Sequence, residues 1–458
     1  MTPRDPDRRQ FLKLGSVAVA SIPLHALAAC SSVSTYSASS APVQRAAHPQ
    51  YGSLVPIADD ATGLPLLWLP EGFRYRSFGW NGDLLNDGTP TPPLHDGMAA
   101  LDAGNGRVRL IRNHELRTGR SFSPDSTYDP GAGAGTTTVE LEADTCEVTA
   151  AWASLSGTAV NCAGGPTPWG SWLSCEETVG EPDSDNTLER KHGYIFEVPL
   201  EGGSIAEPLR SMGRFRHEAV AVDPSTSIVY ETEDQGDRSG FYRFLPNEPG
   251  RLAAGGRLQM LCLSETEEPD MRTGQVVGRW RDVHWVDIDD PDPEECGPHS
   301  VSDQGRDHRA ARFTRLEGAW YGAGRIVFVS TDGGNAEQGQ VWEYDPQGDR
   351  LRLLFESAGA NVLNMPDNVC VSPRGGLLLC EDGVGPQFVH GLTVDGQIFP
   401  FARNNVVLSG EKNGIEGDFR NREFAGATYS PDGRWLFFNV QTPGISFAVT
   451  GPWEDGAL

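Results

Sequence analysis

One pattern recurs along this chain and constrains its fold more than any other feature. Each copy is a short apolar stretch, a turn rich in Pro, Gly and Asp, and a second apolar stretch that usually ends in acidic residues. Such a copy predicts a β-hairpin, and because the turn lies about midway, the two ends of the copy meet at the open end of the hairpin. The copies span residues 100–115, 162–177, 218–234, 317–332, 367–382 and 425–441. Hairpins arranged around an axis would bring their acids together, which predicts a metal site.

The spacing of the copies predicts the fold class. They end roughly 50 to 60 residues apart with one wider gap, which suits four-stranded propeller blades joined by loops. The 54 glycines and 33 prolines fit many tight turns and leave little room for long helices. We therefore predict an all-β protein, a six-bladed β-propeller with a central metal site, over residues 48–458. Residues 68–76 are expected to supply a strand that closes the ring, and the acidic residues at about 247–311 an insertion over one face.

The charge of the chain excludes some classes of partner. The sequence has 37 Lys and Arg against 63 Asp and Glu, a formal net charge of −26. Such acidity argues against nucleic acid or an anionic membrane surface as a partner. Acid-rich surfaces are common in soluble secreted proteins, but that explanation does not account for acids placed at the ends of apolar strands.

The N-terminus has the pattern of an export signal. Arg8 and Arg9 precede Phe-Leu-Lys and an apolar stretch, 14–29, that is too short to span a membrane comfortably. Residues 1–29 therefore resemble a Tat signal peptide, with the Tat translocase as the partner during export. Leu27-Ala-Ala-Cys30 resembles a lipobox, in which Cys30 is lipidated and begins the mature chain; the alternative is ordinary cleavage after Ala29.

The export signal also predicts where the protein resides. We expect a periplasmic or cell-surface protein whose only membrane attachment is the lipid on Cys30. The Ser-, Thr- and Ala-rich residues 30–47 would form a flexible tether.

The cysteine count indicates an unpaired thiol. If Cys30 is lipidated, seven cysteines remain, so at least one has no disulfide partner. Cys175 directly precedes two glutamates of the acidic row, and a thiolate beside carboxylates suits a transition metal better than calcium alone. The alternative is a disulfide from Cys175 to Cys162 or Cys380 across neighbouring strands.

One arginine lies close to the acidic row. Arg315 stands two residues before Glu317, so on a strand both side chains point to the same side. A guanidinium can clamp a phosphate through two parallel hydrogen bonds. The alternative is that Arg315 is an ion-pair partner of a neighbouring acid.

These residues resemble a known family. Asn161-Cys-Ala-Gly-Gly-Pro-Thr-Pro-Trp-Gly-Ser-Trp-Leu-Ser-Cys-Glu-Glu is very similar to the signature segment of the PhoX-type alkaline phosphatases. Asn113-His-Glu, Arg315-Leu-Glu-Gly and Cys380-Glu-Asp-Gly resemble further segments, and the resemblance covers roughly residues 51–453. It implies a six-bladed propeller that hydrolyses phosphate monoesters. The cofactors it implies are two Fe3+ ions and several Ca2+ ions joined by a bridging oxo group.

The resemblance also implies roles for individual residues. Arg315 would contact the substrate phosphate, and Arg315 and Glu317 would be the catalytic residues. The implied metal ligands are Glu115, Cys175, Glu176, Glu218, Glu233, Glu317, Glu381 and Asp382.

Two other functions remain open from the residues alone. A calcium-dependent, lactonase-like propeller hydrolase would need the acids but neither iron nor Cys175. A non-catalytic, calcium-stabilised binding propeller would use the acids only for structure. In each case we expect a monomer.

Overall fold

Antiparallel strands that follow one another in the sequence make up nearly all the regular structure. The structure of the protein is a computed structural model that describes residues 50–182, 188–265, 269–294 and 300–458. The predicted signal peptide, Cys30 and the tether 30–47 lie outside the described residues. The chain divides into two units, 1–42 and 43–458, and all described residues belong to the second. Within them, no helix is both long and apolar enough to cross a membrane.

The strands form a series of antiparallel meanders, which we number in chain order. The N-terminal strands are β1 (Leu54–Ile57), β2 (Leu67–Pro70) and β3 (Arg74–Phe78). Meander 1 contains β4 (His95–Gly104), β5 (Arg107–His114), β6 (Ala134–Glu142) and β7 (Val148–Thr158). Meander 2 contains β8 (Asn161–Pro166), β9 (Ser171–Glu176) and β10 (Ile195–Pro199). Meander 3 contains β11 (His217–Val222), β12 (Val229–Glu233), β13 (Phe241–Pro246) and β14 (Gly256–Leu263).

The second half of the chain repeats the arrangement. After β15 (Trp280–Asp287) and the short helix α1 (Val301–Asp307), meander 4 contains β16 (Leu316–Gly322), β17 (Arg325–Ser330), β18 (Gln340–Asp345) and β19 (Arg350–Glu356). Meander 5 contains β20 (Pro366–Val371), β21 (Leu377–Glu381), β22 (Phe388–Leu392) and β23 (Ile398–Asn404). A hairpin follows, β24 (Val407–Ser409) and β25 (Glu416–Asp418), and then meander 6, with β26 (Phe424–Tyr429), β27 (Leu436–Val440) and β28 (Ile445–Thr450). Short 3-10 helices lie at Arg210–Met212, Gly236–Arg238, Leu252–Ala254 and Trp453–Asp455.

The first strands of the meanders lie side by side in chain order. β4 is next to β8, β8 to β11, β11 to β16, β16 to β20 and β20 to β26, and β26 returns to β4. The result is an all-β, propeller-like arrangement in which the predicted hairpins are the first two strands of each meander. The predicted copies of the sequence pattern are therefore confirmed as hairpins.

The N-terminal strands join the ring to the end of the chain. β3 pairs with β28 and becomes the fourth strand of meander 6. The hydroxyl of Tyr51 accepts a hydrogen bond from the backbone N–H of Leu458 at 2.9 Å and lies 3.1 Å from the carbonyl oxygen of Trp453. The expected closing strand in residues 68–76 is thus present, with β2 pairing to β23 of meander 5.

The core lies between neighbouring meanders. Second strands such as β17, β21 and β27 are rich in Val, Leu, Ile and Phe, the residues that favour a pleated, buried surface. Between meanders 3 and 4, Phe241 of β13 stacks on Phe328 of β17 with ring centroids 4.2 Å apart. Face-to-face packing of this kind holds each meander against the next and fixes the position of its ends.

The structure refines the predicted insertion at 247–311. Residues Gly256–Leu263 are the fourth strand of meander 3. β15 then pairs with both β14 and β19, so meanders 3 and 4 share one nine-stranded sheet at their outer edges. The segment predicted to be an insertion therefore contributes two strands to the sheet.

Candidate metal centre and phosphate site

One backbone hydrogen bond is repeated at the open end of each hairpin. The N–H of the residue after the second strand donates to the carbonyl of the residue before the first strand. The donor and acceptor pairs, at 2.9 to 3.3 Å, are Glu115 to Leu94, Glu177 to Val160, Asp234 to Arg216, Thr331 to Arg315, Asp382 to Met365 and Gln441 to Glu423. The six hairpins therefore present equivalent positions at this end of the ring.

A β-bulge follows the repeated hydrogen bond in each first strand. A bulge bends the strand and re-aims one side chain. In five hairpins the bulge contains the second residue of the strand, and these residues are Asp96, Cys162, Glu218, Glu317 and Asp367. In the sixth hairpin the irregularity begins after Ala425, which carries no ligand atom. The bulges thus bring acids and one thiol to the same end as the acids that close the hairpins.

The side chains from these positions form three groups. Within each group, one ligand atom from each residue lies within 4.8 Å of the others. Site A is Cys162, Glu177 and Glu218; site B is Asp96, Glu115 and Glu423; site C is Glu218, Glu317 and Asp367. Each site draws on at least two meanders, and Glu218 links sites A and C.

The acids of these sites are electrostatically unfavourable without cations. Burial, reinforced by Asp234 and Glu115, raises the pKa of Glu177 to about 8. Burial likewise raises the pKa of Glu115 to about 7, although Arg117 opposes the shift. Burial also raises the pKa of Asp367 to about 6. The pKa values of Asp96, Glu218, Glu317 and Glu423 are raised well above their ordinary range, again mainly by burial. Bound cations would favour the ionised forms of all these carboxyls.

Two arginines provide positive charge beside the sites. Arg315 contacts Glu317 through Nη2, and its Nε lies 3.4 Å from Oδ1 of Asp234. Glu317 and Asp234 together raise the pKa of Arg315, although burial opposes them, so the guanidinium stays charged. Arg117 contacts Glu115 and Glu177. The sequence prediction that Arg315 and Glu317 lie together agrees with this geometry, as does the alternative that Arg315 pairs with acids.

Glu176, a predicted metal ligand, lies outside the three sites. Its carboxylate accepts hydrogen bonds from the backbone N–H groups of Ala159, Gly193 and Tyr194 at 2.8 to 3.1 Å. Nδ1 of His192 lies 2.6 Å from Oε1. These hydrogen bonds hold the neighbouring loops together and occupy the buried carboxylate of Glu176. The next residue, Glu177, lies in site A. We therefore withdraw the metal role predicted for Glu176.

Glu233 and Glu381 repeat this arrangement. Glu233 accepts from the N–H of Gly240 at 2.9 Å and from the hydroxyl of Tyr242 at 2.8 Å. Glu381 accepts from the N–H groups of Asn364 and Phe388 at 2.8 and 3.0 Å. Neither belongs to a candidate metal group among the described residues. Side chains alternate along a strand, so the following acids, Asp234 and Asp382, lie towards the sites instead.

Asp382 remains close to the candidate metal groups. Its charge raises the pKa of Glu115, Asp367 and Glu423, which belong to sites B and C. Of the predicted ligands, Glu115, Glu218 and Glu317 lie within the sites, and Asp382 lies beside them.

The structure also corrects the assignment of the thiol. Cys175 is fully buried in an apolar cluster with Leu173, Ile195 and Met212, outside sites A, B and C. Cys162 supplies the thiol of site A. Both cysteines and Cys380 are free, so the alternative disulfides of Cys175 are not formed. Of the two cysteines in the segment 161–177, Cys162 rather than Cys175 therefore lies with the clustered acids.

The predicted ligand set leaves out five residues of the sites. They are Asp96, Cys162, Glu177, Asp367 and Glu423. Cys162 and Asp367 begin predicted copies of the pattern, as Glu218 and Glu317 do, although no metal role was assigned to them. Asp96 shares this register position and follows from alignment of the first strands. Glu423 had no signal in the pattern, because it precedes the one hairpin that ends in amides.

The sequence model of a family described as alkaline phosphatase PhoX matches residues 50–444. No curated protein matches the sequence significantly.

Solved structures also resemble the fold. A gluconolactonase from Xanthomonas campestris has a TM-score of 0.44 and 12% identity, covering 90% of this chain and 99% of that one. A regucalcin from Agrobacterium tumefaciens, described as a calcium-binding protein, has a TM-score of 0.38 and 10% identity, covering 83% and 98%. We base the fold on the strand arrangement itself.

Proposed function

This chain belongs to the PhoX family of alkaline phosphatases, and we propose on that basis that it is an exported, metal-dependent enzyme that hydrolyses phosphate monoesters. The observation that carries the proposal is the convergence of buried acids, one thiol and Arg315 at equivalent ends of the hairpins. We further propose that each meander is one propeller blade, which gives six blades with the metal sites near the axis. The backbone hydrogen bond repeated at all six hairpins supports this assignment, because it makes the hairpins equivalent.

The ligand atoms of the sites fit the metals that the family resemblance implies. Site A combines the thiol of Cys162 with two carboxylates, a donor set that suits iron. Sites B and C offer only carboxylate oxygens, which suit calcium and other hard cations. We propose two Fe3+ ions, several Ca2+ ions and a bridging oxo group as the cofactors. Glu115, Cys162, Glu177, Glu218, Glu317 and Asp367 are the principal ligands, with Asp96 and Glu423 at site B.

The side chains of the protein position the phosphate. When bound, the metal ions supply Lewis-acid chemistry, neutralising phosphate charge and lowering the pKa of water. Arg315 is anchored by Glu317 and Asp234, so its remaining N–H donors are held beside sites A and C. There the two N–H groups of Nη1 can donate to phosphate oxygens, and the guanidinium can stabilise the charge that develops on them during transfer. Glu317 thus has two roles, as a metal ligand and as the anchor of Arg315.

A phosphatase assay with metal analysis tests the proposal. Protein purified without chelator is assayed with p-nitrophenyl phosphate and analysed for iron and calcium. The proposal predicts hydrolysis that is lost on chelation, with both metals present. Calcium without iron, together with lactone hydrolysis and no phosphatase activity, would support the lactonase-like function instead. Calcium with no hydrolysis of either substrate would indicate a binding propeller.

We further propose that the protein is exported through the Tat translocase and anchored by a lipid on Cys30. The motifs in residues 1–30 support this location, in the periplasm or at the cell surface. Phosphate esters are then substrates from outside the cytoplasm, and neither nucleic acid nor a second subunit is required. Fractionation tests the anchor: wild type should sediment with membranes and Cys30→Ala should be soluble. A wild type found only in the soluble fraction would contradict the proposal.

A further inference from the structure

Arg117 bridges two of the candidate metal sites from the solvent side. It follows β5 by three residues, and its Nη2 lies 2.6 Å from Oε1 of Glu115 and 3.4 Å from Oε2 of Glu177. Glu115 belongs to site B and Glu177 to site A. The side chain of Arg117 is nonetheless 66% exposed. The guanidinium of Arg117 is therefore exposed to solvent beside sites A and B, and it contacts the two acids through Nη2 only.

The remaining donors of Arg117 are free within the described part of the chain. Its Nε–H and Nη1 groups donate to none of the described residues, whereas Arg315 uses both Nε and Nη2 to contact acids. Arg315 is also less exposed, at 30%. Arg315 is therefore held in place by its acids, while Nε and Nη1 of Arg117 form an open edge of the guanidinium that can bind an incoming molecule.

The two arginines flank site A. Arg117 spans meanders 1 and 2, because it contacts Glu115 and Glu177. Arg315 spans meanders 3 and 4, through Asp234 and Glu317. Site A lies at the junction of meanders 2 and 3, between them in ring order. A phosphate held by Arg315 would thus have Arg117 on the far side of site A, where the alcohol part of the ester can extend.

We propose that Arg117 binds a second oxyanion on the alcohol part of the substrate, so that the enzyme prefers phosphate monoesters that carry a further carboxylate or phosphate. This inference rests on the proposed phosphatase function. An open guanidinium edge matches a carboxylate or phosphate through paired hydrogen bonds. Arg117 would thus supply the positive charge that pairs with the second anion of a doubly anionic ester.

Two esters of nearly equal size test the preference. Phosphoglycolate carries a carboxylate where ethyl phosphate carries a methyl group. Wild type should have the higher kcat/KM for phosphoglycolate. Arg117→Ala should lower that value about tenfold, mainly through KM, as expected for loss of one exposed charge-assisted contact. It should lose much less on ethyl phosphate, and Arg117→Lys should recover part of the difference.

Arg120→Ala is the matched control, because Arg120 is an exposed arginine in the same loop. It should leave both substrates and both metals unchanged. Iron and calcium are measured in every variant. Equal losses on the two esters, or loss of metal in Arg117→Ala, would show that Arg117 acts only as a partner of the acids and would overturn the inference.

Calorimetric binding to the metal-loaded proteins separates this inference from the proposed function. If wild type hydrolyses neither ester, the phosphatase proposal fails, yet the affinities for phosphoglycolate and ethyl phosphate still compare wild type with Arg117→Ala. Tighter binding of phosphoglycolate that disappears in the variant supports the role of Arg117. No difference between the two esters in wild type refutes it.

Discussion

Replacing Glu177 or Glu176 by Gln should change the stability of the metal-free protein at pH 9 in opposite directions. Glu177 lies in site A with a pKa raised to about 8 by burial and by Asp234 and Glu115. Because this folded-state pKa exceeds the ordinary value of 4.5, the destabilisation of the folded state by Glu177 is absent below about pH 4.5, grows between about pH 4.5 and 8, and is complete above about pH 8. In metal-free protein, Glu177→Gln removes that cost. We therefore expect the variant to be more stable than wild type at pH 9 and equally stable at pH 4.5.

The size of the effect follows from the pKa shift. A rise of the pKa from 4.5 to about 8 corresponds to an upper limit of about 5 kcal/mol in the free energy of unfolding. Water reaches the side chain, which is 14% exposed, so screening should reduce the gain to about 2 to 3 kcal/mol. For a chain of this size that is a rise of several degrees in Tm.

Glu176→Gln is the control one residue away. An amide cannot accept all the hydrogen bonds that Ala159, Gly193, Tyr194 and His192 direct at this carboxylate. The loss should be about 1.5 to 3 kcal/mol at both pH values. Thermal unfolding of chelator-treated protein, followed by circular dichroism at pH 4.5 and pH 9, makes the comparison. A metal-free Glu177→Gln that is less stable than wild type at pH 9 would refute the electrostatic argument.

Three further predictions concern the thiol, the phosphate clamp and the export route. Cys162→Ser should lose iron and activity, while Cys175→Ser should keep both and unfold at a lower Tm because it places a hydroxyl in an apolar core; the reverse pattern would restore the sequence-based assignment. Arg315→Ala should keep its metals and lose about a hundredfold in kcat/KM, with partial recovery in Arg315→Lys; full turnover would make Arg315 a structural partner of the acids. Replacing Arg8 and Arg9 by Lys should leave folded protein in the cytosol, and normal export in a fractionation assay would exclude the Tat route.

The fold was largely predictable because its repeat is local. A hairpin depends on an apolar alternation and a central turn, and both are visible in stretches such as 218–234 and 367–382. The segment containing β14 was harder to interpret, because it lies in the wide gap between two copies of the pattern and was predicted to be part of an insertion. Its pairing with β13 and β15 depends on contacts distant in sequence.

The site was predictable in outline but not in its ligands. Glu176 and Glu177 look equivalent in the sequence, yet successive side chains of a strand face opposite ways, so only Glu177 lies in site A. Which one does depends on the bulge in the first strand, and a single sequence gives no local signal for a bulge at Cys162 or Glu218. Register, rather than residue type, separates the candidate ligands from the acids that hold the loops.

The return of β26 to β4 has a consequence for how the protein matures. Site B takes Asp96 and Glu115 from the first meander and Glu423 from the residue before the last one. These residues can meet only after residue 423 has been synthesised and the last meander has packed beside the first. A chain that ends before residue 423 therefore lacks site B, and a cation bound there would link the first and last meanders. Metal uptake at this site would then depend on closure of the ring.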